Sequence, residues 1–342
     1  YTTRQETGFY AQVVPKDAFL ALEVMADMLM NPLFDKGDIS KERKVIIEEI
    51  RSYEDIAEEC AADLFYATHF APCGLSSPIA GTVQSVRRLT RESMLKYKEQ
   101  VISEIPIYVC AAGKIDHDSL VEECKKVFKN KKTKISKLPE NYGIAPSFKI
   151  SSKPDLQQSS LVWGTSFQKT NLSKDFRFAL SLFNVAFGAG MSSRLFQKIR
   201  EEHGLAYTVY STTDVFSDSY GFSVSLATDP AKLLKSIQLV KNEFLNFMEK
   251  GFLEGELKRT KRNILGSLEI GSDNTEKRLL RLAEHRLHFG ECQAIDSVKD
   301  SLKKLDNAKI LKILSEAFDL KNFSVAVVEP KGAPKIKPSE FL

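Results

Sequence analysis

Two carboxylates lie on the apolar face of a predicted helix, where charged side chains are seldom found. The spacing of apolar residues over Asp38–Ala57 predicts an amphipathic helix. Glu42 and Glu49 are two helical turns apart, so both side chains fall on the same face. Burial of an ionised carboxylate is costly unless a partner or a metal ion compensates it. The pair is therefore a candidate metal or acid–base site; the alternative is two ion-paired glutamates at a helix packing edge.

A second candidate pair lies where a helix meets a strand in the second half of the chain. The pattern over Ser192–Thr208 predicts a short helix that ends at Gly204 and a strand that begins at Ala206. Arg200 falls in the last helical turns and Tyr207 at the start of the strand. The two side chains can therefore converge on one edge of a sheet. The alternative is that Arg200 caps helix carbonyls while Tyr207 packs within the sheet.

Composition narrows the class of protein that carries these residues. The chain has 342 residues, of which 43% are hydrophobic and 27% charged, as in a globular protein of two or more domains. The 49 basic and 45 acidic residues nearly balance, which argues against a nucleic-acid partner. There is no run of 18 apolar residues, so we expect no membrane partner. Five cysteines without a Cys-x-x-Cys motif indicate reduced thiols, and we expect a cytoplasmic protein or, in a eukaryote, one of the mitochondrial matrix.

The elements around the candidate residues follow a similar order in both halves. In the first half, a predicted strand at Thr7–Val14 leads into a helix at Lys16–Met30. In the second half, a strand at Gly221–Leu226 leads into a helix at Ala231–Met248. This shared order indicates an internal duplication.

The two halves also end alike, each with a helix followed by an apolar strand. The first has a helix at Arg91–Val101 and a strand at Ile107–Gly113. The second has a helix at Ala308–Phe318 and a strand at Phe323–Val328. The sequence thus predicts an α+β fold of two duplicated domains, each a mixed or antiparallel sheet with helices packed on one face. Proline and glycine residues place a linker at 138–156, between domains at 1–137 and 157–342.

Short segments in both halves form a recognisable pattern: Tyr1–Thr7, Ala26–Leu29, Asn31–Asp35, Glu42–Ile46, Glu48–Ile50, Gly190–Phe196, Arg200 and Gly204–Tyr207. These segments resemble the insulinase/pitrilysin family of zinc peptidases, and most closely its mitochondrial-processing-peptidase-like branch. The resemblance covers nearly the whole chain, and two separate motifs in the right order make it specific.

The resemblance implies a role for each candidate residue. Glu49 matches the family's glutamate zinc ligand, and Glu42 matches a second carboxylate that supports the site. Arg200 and Tyr207 match a pair that the second domain directs at the substrate near the metal. The implied activity is that of a zinc metalloendopeptidase, which hydrolyses unfolded peptides or small proteins in a closed chamber. A chain with two such domains is expected to form a homodimer, or a heterodimer with a paralogue.

The sequence departs from the family pattern in one respect. The family binds Zn²⁺ through an inverted His-x-x-Glu-His motif plus the distal glutamate, and no such motif occurs here. His285 and His288 have a helical spacing that allows a shared metal, but surface histidines are the favoured interpretation. The resemblance places the zinc motif before Tyr1, so we expect the first piece of the first domain to be missing and the chain as it stands to be inactive.

A different class of function stays open. Some relatives have lost the zinc motif and act as non-catalytic partner subunits, which bind substrate and supply the arginine and tyrosine to an active subunit. Such a subunit has no need for both Glu42 and Glu49. The presence of both therefore favours the catalytic interpretation, because burial of two carboxylates is costly.

Overall fold

The computed structural model of the chain describes residues 1–129, 146–154, 156–334 and 336–340. The chain divides into two compact units, each assembled from three segments. The first unit contains Tyr1–Arg51, Ile79–Asn141 and Ile270–Cys292, and the second contains Ser52–Pro78, Tyr142–Glu269 and Gln293–Leu342.

The described residues form helices and one sheet. The α-helices are α1 (Ala18–Met30), α2 (Lys36–Glu54), α3 (Ala57–His69), α4 (Val83–Arg88), α5 (Arg91–Glu104), α6 (His117–Val127), α7 (Phe176–Phe187), α8 (Leu233–Lys250), α9 (Glu256–Asp273), α10 (Thr275–Phe289), α11 (Ile295–Lys303) and α12 (Asn307–Ala317). A π-helix spans Phe196–Glu202. The strands are β1 (Phe148–Lys153), β2 (Ser159–Gln168), β3 (Ala206–Val215), β4 (Ser219–Thr228) and β5 (Ser324–Pro330).

The first unit is helical over its described residues. Helix α5 begins with a capping box, in which the Thr90 hydroxyl accepts the Ser93 N–H and the Ser93 hydroxyl accepts the Thr90 N–H. The predicted strands at Thr7–Val14 and Ile107–Gly113 are not formed. A strand is defined by hydrogen bonds to a neighbouring strand, and within the described ranges neither run pairs beyond a single Thr2–Thr7 bridge. Both runs were therefore wrongly predicted as regular strands.

The helix predicted to reach Ala57 ends earlier. Helix α2 stops at Glu54, Ile56 adopts an extended conformation, and α3 begins at Ala57. The Lys153 ammonium and the Cys60 thiol both donate to the Glu54 carbonyl oxygen, which satisfies an acceptor at the end of α2. The second unit begins at Ser52, near the end of α2, and includes α3.

The second unit is built on a five-stranded mixed sheet with the order β1-β5-β2-β4-β3. Strand β1 runs parallel to β5, and the other neighbouring pairs are antiparallel. Strands β3 and β4 form a hairpin, which leaves β3 at one edge of the sheet. The predicted strands at Gly221–Leu226 and Phe323–Val328 correspond to β4 and β5, and the α+β fold class is confirmed.

Helices cover both faces of this sheet, because successive side chains of a strand point to opposite sides. On one face, Trp163 and Phe323 contact Phe244 of α8, and Phe244 also contacts Phe183 of α7. On the other face, α3 packs Phe65 and Ala61 against residues that include Val162, Ala326 and Val328. The structure thus adds a second helical layer to the single layer that was predicted.

The two halves of the chain contribute to the units in an equivalent way. The third helix after the strand-like run is α3 in the first half and α10 in the second, and each belongs to the unit dominated by the other half. Both helices end in the same pattern, His69-Phe70 with Cys73 and His288-Phe289 with Cys292. This recurrence supports the predicted internal duplication.

The predicted linker at 138–156 falls partly outside the described residues, and its described part contains strand β1. The predicted domain boundaries stay a prediction. Among the helices in the described ranges, none combines the length and apolar character needed to cross a bilayer.

Candidate active-site groove

Arg200 and Tyr207, which the sequence paired, are in contact in the structure. The Arg200 guanidinium lies 4.4 Å from the centroid of the Tyr207 ring and 4.7 Å from that of the Phe196 ring. Cation–π contacts of this length hold a guanidinium between two aromatic faces. The arginine is thereby oriented by rings rather than by a buried carboxylate.

The local sequence explains why the two side chains meet. Leu195 and Ile199 are fully buried and anchor the π-helix, and Gly204 has a φ of 56°, as required after a helix end. Strand β3 then begins with an irregular register, since Ala206 pairs with Thr228 while Thr208 pairs with Ala227. Tyr207 is the extra residue of this bulge. A bulge re-aims a side chain, and here it leaves Tyr207 76% exposed beside Arg200.

An open groove of about 260 Å³ lies against this pair. It is lined by Gly190, Met191, Phe196, Arg200, Tyr207, Thr208, Val209 and Tyr210. Within the described residues, the Tyr207 hydroxyl makes no hydrogen bond, and the nearest carboxylate to Arg200 is that of Glu201, with Nε and Oε1 3.6 Å apart. The alternative in which Tyr207 packs inside the sheet is therefore wrong. Both polar ends are available to a ligand that offers an acceptor.

Glu42 and Glu49 lie on α2 in the first unit, and the structure does not bury them. Both are exposed, as are their apolar neighbours Val45 and Tyr53, whereas Ile50 is buried. No ion pair forms at either glutamate within the described ranges, so the packing-edge alternative is not seen either. The face of α2 that carries them is largely open to solvent, so the assignment of Glu42 and Glu49 to a metal site stays a prediction.

The carboxylates do not form a metal site with other residues of the described chain. No group of three or more His, Cys, Asp or Glu side chains is placed to hold a metal ion within the described ranges. A catalytic Zn²⁺ needs three protein ligands and an open position, and it favours imidazole over an all-oxygen set. Glu42 and Glu49 alone therefore do not fit a zinc ion.

His288 is partly buried next to a carboxylate in the first unit. The side chain of His288 is only 14% exposed, and its Nε2 lies 3.9 Å from Oε2 of Glu6, so the interpretation of His288 as a surface residue was wrong. Burial raises the pKa of Glu6, and burial together with Glu6 raises the pKa of Glu284. These groups form a small polar cluster within the first unit, without the ligand geometry of a metal site.

His69 is a buried residue that the sequence reasoning missed. Its Nδ1 lies 2.8 Å from Oγ of Ser324 and its Nε2 2.9 Å from Oγ of Ser166. Its ring stacks on Phe65 with centroids 5.1 Å apart. Burial lowers the pKa of His69 to about 4, so the ring is neutral at physiological pH. The His-Phe-x-x-Cys pattern shared by α3 and α10 was the signal available in the sequence.

Comparison with known proteins places these features in a family. A family model described as "Peptidase M16 inactive domain" matches residues 88–264, and one described as "Insulinase (Peptidase family M16)" matches residues 1–83. An uncharacterized zinc protease of Mycobacterium leprae is 29% identical over 354 residues, which cover 100% of this chain and 77% of that protein. The uncharacterized zinc protease YmxG of Bacillus subtilis is 27% identical over 337 residues, covering 97% of this chain and 80% of that protein.

Solved structures support the same fold. A peptidase M16 inactive domain from Pseudomonas fluorescens has a TM-score of 0.80 at 16% identity, covering 94% of this chain and 77% of that one. A protease from Helicobacter pylori has a TM-score of 0.78 at 14% identity, covering 92% and 77%. At such identities the likeness concerns the fold alone. With the two family models matching successive parts of the sequence, the chain belongs to peptidase family M16, the insulinase family, and it lacks the family's inverted zinc motif.

Proposed function

We propose that this chain binds an extended, unfolded peptide in the Arg200–Tyr207 groove, as the substrate-facing part of a zinc metalloendopeptidase. The observation that carries the proposal is the exposed pair itself. A guanidinium stacked between two rings and a tyrosine lifted out of the strand by a bulge are arranged for a ligand.

The chemistry of the groove suits a peptide backbone. Arg200 offers N–H donors, and Tyr207 offers a hydroxyl that both donates and accepts. Aimed at a substrate carbonyl, these donors stabilise the negative charge that develops on its oxygen during hydrolysis. Because the guanidinium is already oriented by Phe196 and Tyr207, little reorganisation is needed on binding.

In this proposal, the described residues supply only part of the zinc site. Glu49 would donate one carboxylate ligand, with Glu42 as its support. The other ligands would come from outside the described residues, since these supply no site of three donors. We propose accordingly that the chain as it stands does not hydrolyse peptides, and that the active protein pairs it with a second copy or a paralogue in the cytoplasm or the mitochondrial matrix.

A second candidate function is that of a non-catalytic partner subunit, which binds substrate and supplies Arg200 and Tyr207 to an active subunit. The match of residues 88–264 to a model described as an inactive domain is compatible with it. The exposure of Glu42 and Glu49 also removes the argument that buried carboxylates must serve a metal. The two candidates share the groove and differ in whether Glu49, supported by Glu42, contributes to a catalytic metal site.

The test of the groove is peptide binding by the chain itself. We expect a fluorescently labelled, unstructured peptide to bind residues 1–342, and Arg200→Ala to raise its Kd by about tenfold, the value of one hydrogen bond to a charged group. Tyr207→Phe should weaken binding without lowering the melting temperature. Tyr97→Phe, which alters an exposed tyrosine of the first unit, is the matched control.

Unchanged affinity in both Arg200→Ala and Tyr207→Phe would refute the groove assignment. The two candidate functions separate in a protein extended upstream of Tyr1. Bound zinc together with chelator-sensitive hydrolysis supports the catalytic role, and peptide binding without either supports the partner-subunit role. In an active protein, Tyr207→Phe should lower kcat by about 10²–10³, as for other preorganised donors.

A further inference from the structure

A buried ion network is centred on Arg194, directly before the π-helix Phe196–Glu202 that carries Arg200. Nε and Nη2 of Arg194 donate to the two carboxylate oxygens of Glu256 over 3.0 and 2.5 Å. Nη1 donates to Oε1 of Glu243 over 3.3 Å, and Nη2 also donates to the Gly251 carbonyl oxygen over 2.6 Å. All three charged side chains are at most 7% exposed.

The network connects the groove segment to two other helices. Glu243 lies on α8, and Glu256 is the first residue of α9. The second oxygen of Glu243 accepts from Nζ of Lys198, which lies within the π-helix, over 3.4 Å. Oε2 of Glu256 also accepts the Leu253 N–H over 2.7 Å and so fixes the turn between α8 and α9. The segment that carries Arg200 is therefore held at Arg194 and at Lys198.

Stability alone is a weak reason for such a network. Removal of charges from water is costly, and buried ion pairs replaced by apolar groups of similar volume often leave a protein equally or more stable. The bidentate geometry gives direction as well as energy, because a planar guanidinium fits one orientation of a carboxylate. Its distinctive effect is thus to select one position for the helix that follows.

We propose that Arg194 is a positioning residue for the groove: its bidentate pair with Glu256 and its contact with Glu243 fix the register of the π-helix, so that the Arg200 guanidinium stacks on Tyr207. The π-helix is a rare form that occurs mostly as single-turn bulges within α-helices, and these are frequent at functional sites. Without the anchor at Arg194, this segment can relax to ordinary helical geometry. Arg200 would then point in a different direction, since each residue of a helix is rotated by about 100° from the last.

The inference is tested with two variants that treat the network differently. The triple variant R194M/E243M/E256Q removes the buried charges and keeps an acceptor for the Leu253 N–H. Arg194→Lys keeps the charge and loses the planar fork. The control is Lys309→Ala, which breaks a surface ion pair between α12 and Asp175 elsewhere in the second unit.

Three quantities are measured on residues 1–342: the melting temperature, amide hydrogen exchange over Phe196–Glu202, and the Kd of the labelled unstructured peptide. For the triple variant we expect a melting temperature close to that of the wild type, exchange in the π-helix faster by about tenfold or more, and a Kd raised to that of Arg200→Ala, about tenfold. Arg194→Lys should show the same exchange and affinity changes, and Lys309→Ala neither.

A folded triple variant with wild-type exchange and wild-type affinity would overturn the proposal. If the triple variant does not fold, the same two measurements on Arg194→Lys, hydrogen exchange and peptide affinity, decide the question. If neither variant folds, the network serves stability and the proposal is wrong. The peptide measurement rests on the proposed function, whereas the exchange measurement does not. A wild-type chain that binds no peptide therefore counts against the proposed function, while the exchange data still decide the role of Arg194.

Discussion

Acid should selectively weaken the attachment of α3 to the sheet, because His69 is buried there as a neutral ring. Its side chain is 0% exposed, and it contacts two serine hydroxyls and the rings of Phe65 and Phe70. Burial lowers its pKa from 6.5 to about 4. A difference of that size between the unfolded and folded states corresponds to about 3 kcal/mol.

The direction of the effect follows from proton binding. Between pH 6.5 and 4 the unfolded chain protonates His69 and the folded chain does not, so the free energy of unfolding rises with pH in this window. The contribution is fully present above pH 6.5. It declines as the pH falls toward 4 and does not change further below that value.

Urea unfolding measures this contribution. The single tryptophan, Trp163, lies in the same unit as His69 and reports on it by fluorescence. We expect the stability of the wild type relative to His69→Gln to fall by about 3 kcal/mol between pH 7 and pH 4. Carboxyl groups that titrate in both proteins cancel in this difference, and His203→Gln, which alters an exposed histidine, is the matched control. A stability difference that does not vary with pH would refute the buried-neutral assignment.

Three further outcomes are expected. Phe183→Ala should lower the free energy of unfolding by about 3–5 kcal/mol, since Phe183 is fully buried among aromatic rings; denaturant unfolding measures it. Gly251→Ala should reduce the melting temperature, because its φ is 72° and a Cβ there would lie 2.3 Å from Oδ1 of Asn307; an unchanged value would contradict the geometry. Residues 1–342 should purify with well under one zinc per chain by metal analysis, and Glu49→Gln should not alter that content; one tightly held zinc would contradict the missing-ligand argument.

Local sequence patterns were sufficient where neighbouring residues decide the structure. The helix α8 and the strands β4 and β5 follow from apolar periodicity and apolar runs. The meeting of Arg200 and Tyr207 was also predictable, because only one short turn at Gly204 separates the helix from the strand. The family resemblance, which the family models confirm, came from motifs of this local kind.

Tertiary contacts decided what local pattern left open. Whether Glu42 and Glu49 are buried depends on what covers α2. Whether Thr7–Val14 becomes a strand depends on a neighbouring strand with which it can pair. The periodicity of the sequence specifies neither.

The environment of His69 shows the same limit. Its hydrogen-bond partners, Ser166 and Ser324, are 97 and 255 positions away in the chain. The sequence determined which segments are able to form helices and strands, since that ability depends on near neighbours. Only the tertiary structure decided which faces are covered and which side chains lose water, because those depend on residues far apart in the chain.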